Sequence, residues 1–167
     1  MPMSDALLPE FDHEMTTTRK VLERVPDDKF AWKPHTKSFS MGELAQHVAT
    51  LPIWGELTIK QADFDLAGEF DMPTLKSRAD LLAAFDRQVA TTRAALAGVS
   101  DGEMMTPWAL KRGKDTLFSM PKASVWRSFF MNHVIHHRGQ LSVYLRLNDV
   151  PVPSMYGPTA DERGFMG

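Results

Sequence analysis

The chain has 167 residues, 43% of them hydrophobic and 24% charged, which suits one domain with a real core and excludes wholesale disorder. Its 19 basic and 21 acidic residues give a formal charge of −2, and the basic side chains are scattered, so nucleic acid is not an expected partner. There is no cysteine, which excludes a disulfide framework, thiolate metal ligands and a cysteine nucleophile together.

In chain order, the N-terminus "MPMSDALLPEFDHEM" carries acids where a secretory signal would carry bases and a long apolar core. No window approaches the ~18 uncharged apolar residues of a membrane span. A soluble cytoplasmic protein with no membrane partner is expected. The first helical pattern runs from Leu7 to Val25, with Leu8, Phe11, Met15, Thr18 and Leu22 spaced by three and four, and Pro26 stops it. The loop "PDDKFAWKPHTKSFS" is too long for a tight connection. Either it packs across the helices through Phe30 and Trp32, or the topology is not simply up-down-up-down.

A second helix opens at Ser40, whose spacing to Glu43 is that of a capping box. Leu44, His47, Leu51, Trp54 and Thr58 share one of its faces, and Pro52 is expected to bend it by removing the bond to the carbonyl of Val48. A third runs from "SRAD" to Leu96 with Leu82, Phe85 and Val89 on its apolar side and Gly98 at its C-terminal cap. Next, "MMTPWALKRGKDTLFSM" places Gly113 in a basic turn between short apolar runs, the pattern of a small two-stranded hairpin. A fourth helix extends from near Pro121 to Leu147, ended by Asn148 and a proline-punctuated tail. The fold class expected is all-α: an antiparallel four-helix bundle over residues 1–167, with a long first crossover loop and the small hairpin between helices three and four.

The segment "FFMNHVIHHRGQLSVYLRL", residues 129–147, sets three histidines in an apolar run. At roughly 100° per residue, Trp126, Phe130, His137, Gln140 and Tyr144 fall within about 60° of His133. Arg138, Ser142 and Arg146 fall opposite, where solvent is expected, and His136 lies on the flank. Imidazoles at i and i+4 reach one cation, and a third ligand must come from a facing helix, where His47 is the candidate. A lone inward histidine is more often a hydrogen-bonded core residue. Three unpaired imidazoles in one layer, however, would cost several times ~1–3 kcal/mol, a cost that a shared metal removes for one nitrogen of each ring. Neutral imidazole suits Zn, Ni, Cu and Fe(II). Proton competition should weaken binding as pH drops through about 6. His136 is expected to be exposed or behind the ligands, and His13 and His35 to be surface or loop residues.

These motifs resemble the DinB family of metal-dependent proteins, which is related to bacterial thiol-dependent transferases. The resemblance rests on Leu44-Ala45-Gln46-His47, on His133 through Gln140 with Arg138, Gly139 and Gln140 in place, on Trp32-Lys33-Pro34, and on Pro153-Ser154-Met155-Tyr156-Gly157. It implies a four-helix bundle with a three-histidine metal site, His47, His133 and His137, completed by water. Zn or Ni is the first choice of metal, with Fe or Mn as alternatives, and a homodimer is implied. It defines no catalytic residue beyond the metal.

For the neighbours, the residues suggest that Gly139 admits a closely approaching backbone. Gln140 would either donate to a ligand water or substrate, or bond across the bundle. Arg138 would form a salt bridge or cap. Trp54, Phe130 and Tyr144 would be core aromatics or pocket walls. Three neutral ligands with open positions form a catalytic rather than a structural pattern. The leading expectation is a metal-dependent transferase that activates a low-molecular-weight thiol toward a small electrophile. The alternatives are a hydrolase using bound hydroxide, with Glu43 as the nearest carboxylate, and a non-catalytic stress-response or metal-sensing bundle.

Overall fold

The computed structural model describes residues 1–68 and 74–163; residues 164–167 of the expected 1–167 domain lie outside it. Helix α1, Met3–Leu22, buries Phe11, Met15, Val21 and Leu22, at the three-and-four spacing of a helix face turned to a core. A 3₁₀ turn at Asp27–Lys29 follows. Phe30 and Trp32 then pack half-buried against the core, and their carbonyls accept from the amides of Gly42 (2.9 Å) and Met41 (2.8 Å). The long loop thus packs across the helices, the first of the two alternatives.

Helix α2, Met41–Thr50, starts with a complete capping box: the Ser40 hydroxyl accepts from the Glu43 amide, and the Glu43 carboxylate from the Ser40 amide. The expected bend at Pro52 is a full break. Pro52 has no N–H to donate, and in the first turn of α3, Ile53–Lys60, the amides of Trp54 and Gly55 close tight three-residue bonds to Leu51 and Pro52. The Pro52 carbonyl is taken by the Thr92 hydroxyl at 2.7 Å. At Gly55 an added Cβ would stand 2.6 Å from Thr92 Cγ2 and 2.7 Å from Phe130, so only a glycine admits this close packing.

Helix α4, Arg78–Gly98, is capped by Ser77. It buries Leu81, Ala84, Phe85, Thr92 and Leu96, while the expected Leu82 and Val89 pack only partly buried against the core, because α1 covers one side of the helix and α2 and α3 another. A short α5, Asp101–Met104, leads into strands β2, Pro107–Arg112, and β3, Asp115–Pro121. These form an antiparallel hairpin whose turn holds Gly113 at φ +60°. Strand β1, Asp63–Asp65, adds to the hairpin in parallel, Asp63 opposite Ala109.

The molecule is therefore not the expected all-α antiparallel four-helix bundle. It is a mixed fold with a three-stranded sheet in the order β1-β2-β3, and the expected second helix is two helices. Three-residue β1 is too short to show a period of its own, and it exists because β2, more than forty residues away, offers it an edge.

The final helical run comprises α6, Lys122–Ser124, a π-helical stretch Val125–Met131, and α7, Asn132–Leu147. It lies between two apolar clusters. The larger joins Phe11, Leu22, Val48, Phe85, Trp126, Phe130, Val134 and Leu141. The smaller, under the sheet, joins Trp108, Leu110 and Val125, with Phe64, Phe118 and Phe129 around them.

Candidate metal centre

The π-helical stretch runs directly into the helix that bears two of the histidines. The aromatic against His133 is Phe129, four residues before it and about 40° away on the helix surface, closer than Phe130 at about 60°, with ring centroids 5.6 Å apart. Phe130, expected beside His133, turns instead into the core on Phe11 and Trp126. Past Asn132 the helix is regular, and His133 and His137 sit one turn apart with ring centroids separated by 4.8 Å. Helix α2 packs on α7, which brings the His47 ring to 5.0 Å from His133 and 4.5 Å from His137.

One nitrogen from each of His47, His133 and His137 lies within 4.8 Å of the others. Nε2 of His47 and Nε2 of His133 are 3.2 Å apart. A tetrahedral cation with bonds of about 2.0–2.1 Å would space its ligand atoms about 3.3–3.4 Å apart, so this pair stands at coordination distance. Among the described residues no fourth histidine or carboxylate joins the group.

All three rings are half-buried, and burial favours neutral imidazole. Burial, and then the charge of His137, pushes His47 down to about 4. Burial, followed by His47, His137 and His136, pushes His133 down to about 4. His137 is also lowered, chiefly by burial and against its hydrogen bond to Gln140, which opposes the shift. At neutral pH the rings are in the state a cation requires.

Gln140 resolves the tautomer of His137. Its side-chain oxygen lies 2.7 Å from Nδ1 of His137, and a carbonyl only accepts, so Nδ1 carries the hydrogen and the lone pair is left on Nε2. This is neither of the roles expected for Gln140. The buried Nδ1 of His133 has no hydrogen-bond partner among the described residues, and without a cation only one proton can bridge the close Nε2 pair. The donor chemistry fits a bound divalent metal: two neutral nitrogens face each other at ligand spacing, and a third has its tautomer fixed for coordination.

Other expectations fare differently. His136 is exposed, its ring 4.8 Å from that of His137, and His13 and His35 are exposed. Trp54 packs on Phe64 and Phe129. Among the described residues nothing stands within 4 Å of a Cβ built on Gly139, so none of their backbone approaches there. Arg138, expected toward solvent, is 1% exposed, because α1 and the C-terminal tail cover that side of α7. It makes the expected salt bridge, 2.7 Å to Glu14, and it donates to the Glu14 carbonyl, to Thr18 and to the Tyr156 hydroxyl.

A cleft of about 260 Å³ opens beside His137, lined by Lys37, Ser38, Phe39, Leu44, Gln140 and Tyr144. Lys37 and Phe39 carried no signal in the sequence, since they lie in an aperiodic loop. A pattern-based reading could have reached them only through their nearness to the Ser40 cap.

A family model described as the DinB family matches residues 1–163. This chain belongs to the DinB family. The uncharacterized protein YrdA of Bacillus subtilis (strain 168) is 25% identical over 167 residues, covering 98% of this chain and 93% of that protein. YjoA of the same strain, also uncharacterized, is 26% identical over 149 residues, 87% of this chain and 91% of its own. In fold, this DinB-family chain resembles the crystal structure of a DinB-like protein from Bacillus cereus ATCC 10987, with a TM-score of 0.70 at 22% identity, covering 91% of this chain and 97% of that one. It also resembles that of the B. subtilis DinB-like protein YjoA, with a TM-score of 0.65 at 17% identity, covering 95% and 99%. No helix of the described residues is long and apolar enough to cross a membrane.

Proposed function

We propose that this DinB-family protein is a metal-dependent S-transferase, joining a low-molecular-weight thiol to a small electrophile. One observation carries the reading: three neutral imidazole nitrogens converge with no fourth histidine or carboxylate among the described residues, beside a cleft that admits a small molecule. A divalent cation on such a set, Zn or Ni by preference, supplies Lewis acidity that lowers the pKa of a thiol or water in its open positions. The chain has no cysteine, so a thiol nucleophile comes from solution. Gln140 holds the His137 tautomer, and Phe129 and Phe39 shield the rings on their outer sides. In the transfer a new S–C bond forms as the leaving group departs with the bonding electrons, and the thiol proton passes to solvent.

The hydrolase alternative needs a general base. Glu43, its nearest candidate, accepts from the Ser40 amide at 2.6 Å and pairs with Lys33, which occupies it elsewhere. The test is turnover by zinc- and nickel-loaded untagged protein, given 2-mercaptoethanol with a panel of aryl and alkyl halides. Thioether released faster than in the protein-free control, and lost in His137→Ala, supports transfer. Ester or amide cleavage in place of conjugation would favour hydrolysis, and inactivity with intact metal binding would leave a non-catalytic bundle. We also propose a homodimer, supported by the exposed Val143 (56%) and Leu147 (59%) on α7. Sedimentation at a monomer mass across the micromolar range would overturn it.

A further inference from the structure

The wall of the cleft opposite α7 is a loop, residues 35–39, and it is held firmly. The amide of Ser38 donates to the His35 carbonyl at 3.0 Å, and the amide of Lys37 to the His35 ring at 3.1 Å. The Tyr144 hydroxyl donates to the Phe39 carbonyl at 3.1 Å. Tyr144 is itself braced edge-on against Trp32, with centroids 5.4 Å apart. Immediately after the loop, Ser40 caps α2. The loop is thereby tied to both helices that bear the histidines.

Two side chains on this wall, Lys37 and Phe39, are exposed. Lys37 lines the cleft, and among the described residues its ammonium has no carboxylate within ion-pair distance; the lysine four positions earlier, Lys33, is paired with Glu43. Phe39, a large aromatic, is 52% exposed at the same opening, its ring 6.2 Å from that of His47. Among the described residues no acidic side chain lines the cleft. Its volume is below that of drug-sized pockets, which restricts the occupant to a small metabolite. An open aromatic beside an uncompensated ammonium, both on a fixed wall next to the histidines, is the complement of a short apolar stem ending in an anion.

We propose that Lys37 and Phe39 are the specificity residues of the centre, selecting a small carboxylate-bearing ligand whose apolar stem lies along Phe39 and whose carboxylate meets Lys37. The inference rests on the proposed metal centre and adds the class of its cosubstrate.

The probes are 3-mercaptopropionate and 3-mercapto-1-propanol, matched in length and differing in the terminal anion, titrated into zinc-loaded protein after zinc alone has been titrated. At ~4 Å in high dielectric one unit charge pair is worth ~1 kcal/mol, which is about fivefold in Kd. The acid should bind about fivefold tighter than the alcohol in the native protein at low salt. Lys37→Met should abolish that preference with zinc affinity unchanged, and Phe39→Ala should weaken both probes. Because any direct contact of the carboxylate with zinc persists in Lys37→Met, a preference that survives this substitution overturns the role of Lys37. Equal affinities in the native protein overturn the acid selectivity while the zinc site stands. Failure of zinc to bind at all overturns the metal centre, and this inference with it.

Discussion

Arg138→Met should be among the most damaging single substitutions in this protein. The guanidinium is 1% exposed and the Glu14 side chain against it is 5% exposed as a residue, with 2.7 Å between Nη1 and Oε2. The Tyr156 hydroxyl closes the group, accepting from Nη2 at 2.7 Å and donating to the Glu14 carboxylate at 2.8 Å. Methionine keeps most of the apolar stem, so little packing is lost, but it leaves the Glu14 carboxylate buried with only the phenol beside it. Removing one partner of a buried pair costs about 3–5 kcal/mol. At roughly 2–4 °C per kcal/mol for a domain of this size, the melting point should fall by about 6–20 °C. The assay is urea unfolding of the native protein, Arg138→Met, Glu14→Leu and the double variant. The double variant should recover most of the loss, because replacing both charges by apolar groups is often close to neutral. A cost below about 1 kcal/mol for Arg138→Met, or strictly additive single effects, would refute the argument that the pair is a desolvated unit.

Two further outcomes follow from the site. Gln140→Leu should weaken zinc binding about 10- to 100-fold while leaving urea stability nearly unchanged, since it frees the His137 tautomer without touching the core; equal zinc affinity by competition with a chromophoric chelator would contradict this. For metal-free protein, His47 and His133 lie near 4 when folded against 6.5 for the free side chain, so the unfolded chain binds more protons between those values. Their contribution is present in full above about pH 6.5 and is lost as pH falls toward 4. The melting point should drop across that window more steeply than in a variant lacking all three histidines, and identical slopes would remove the basis for neutral rings. By the same shifts, proton competition at these two ligands should set in below the pH of about 6 expected from unperturbed histidine.

The parts of the fold that depend on neighbours in sequence were legible. The capping box at Ser40 and Glu43, the interruption at Pro52 and the turn at Gly113 each need only a few adjacent residues. The three histidines were legible because i, i+4 spacing on one helix and a face-centred residue on another survive small errors in helix ends. What failed was non-local. Strand β1 exists only through its pairing with β2, and no residue type announces the π-helical stretch before Asn132. Arg138 looked solvent-facing because a helical wheel knows one covered side, whereas α7 is covered on two, by α2 and by α1 with the tail. Gln140 was placed correctly by periodicity, but its role depends on a rotamer that periodicity does not contain.

The most direct test of the metal centre is zinc stoichiometry and affinity in untagged protein, for the native chain and for His47→Ala, His133→Ala and His137→Ala, with X-ray absorption to identify the ligand atoms. One zinc per chain, bound by three imidazole nitrogens and at least one solvent oxygen and lost in each variant with helix content retained, is the result this account predicts. Zinc held equally well by a variant lacking any one of the three, or no stoichiometric zinc or nickel in the native chain, would contradict it.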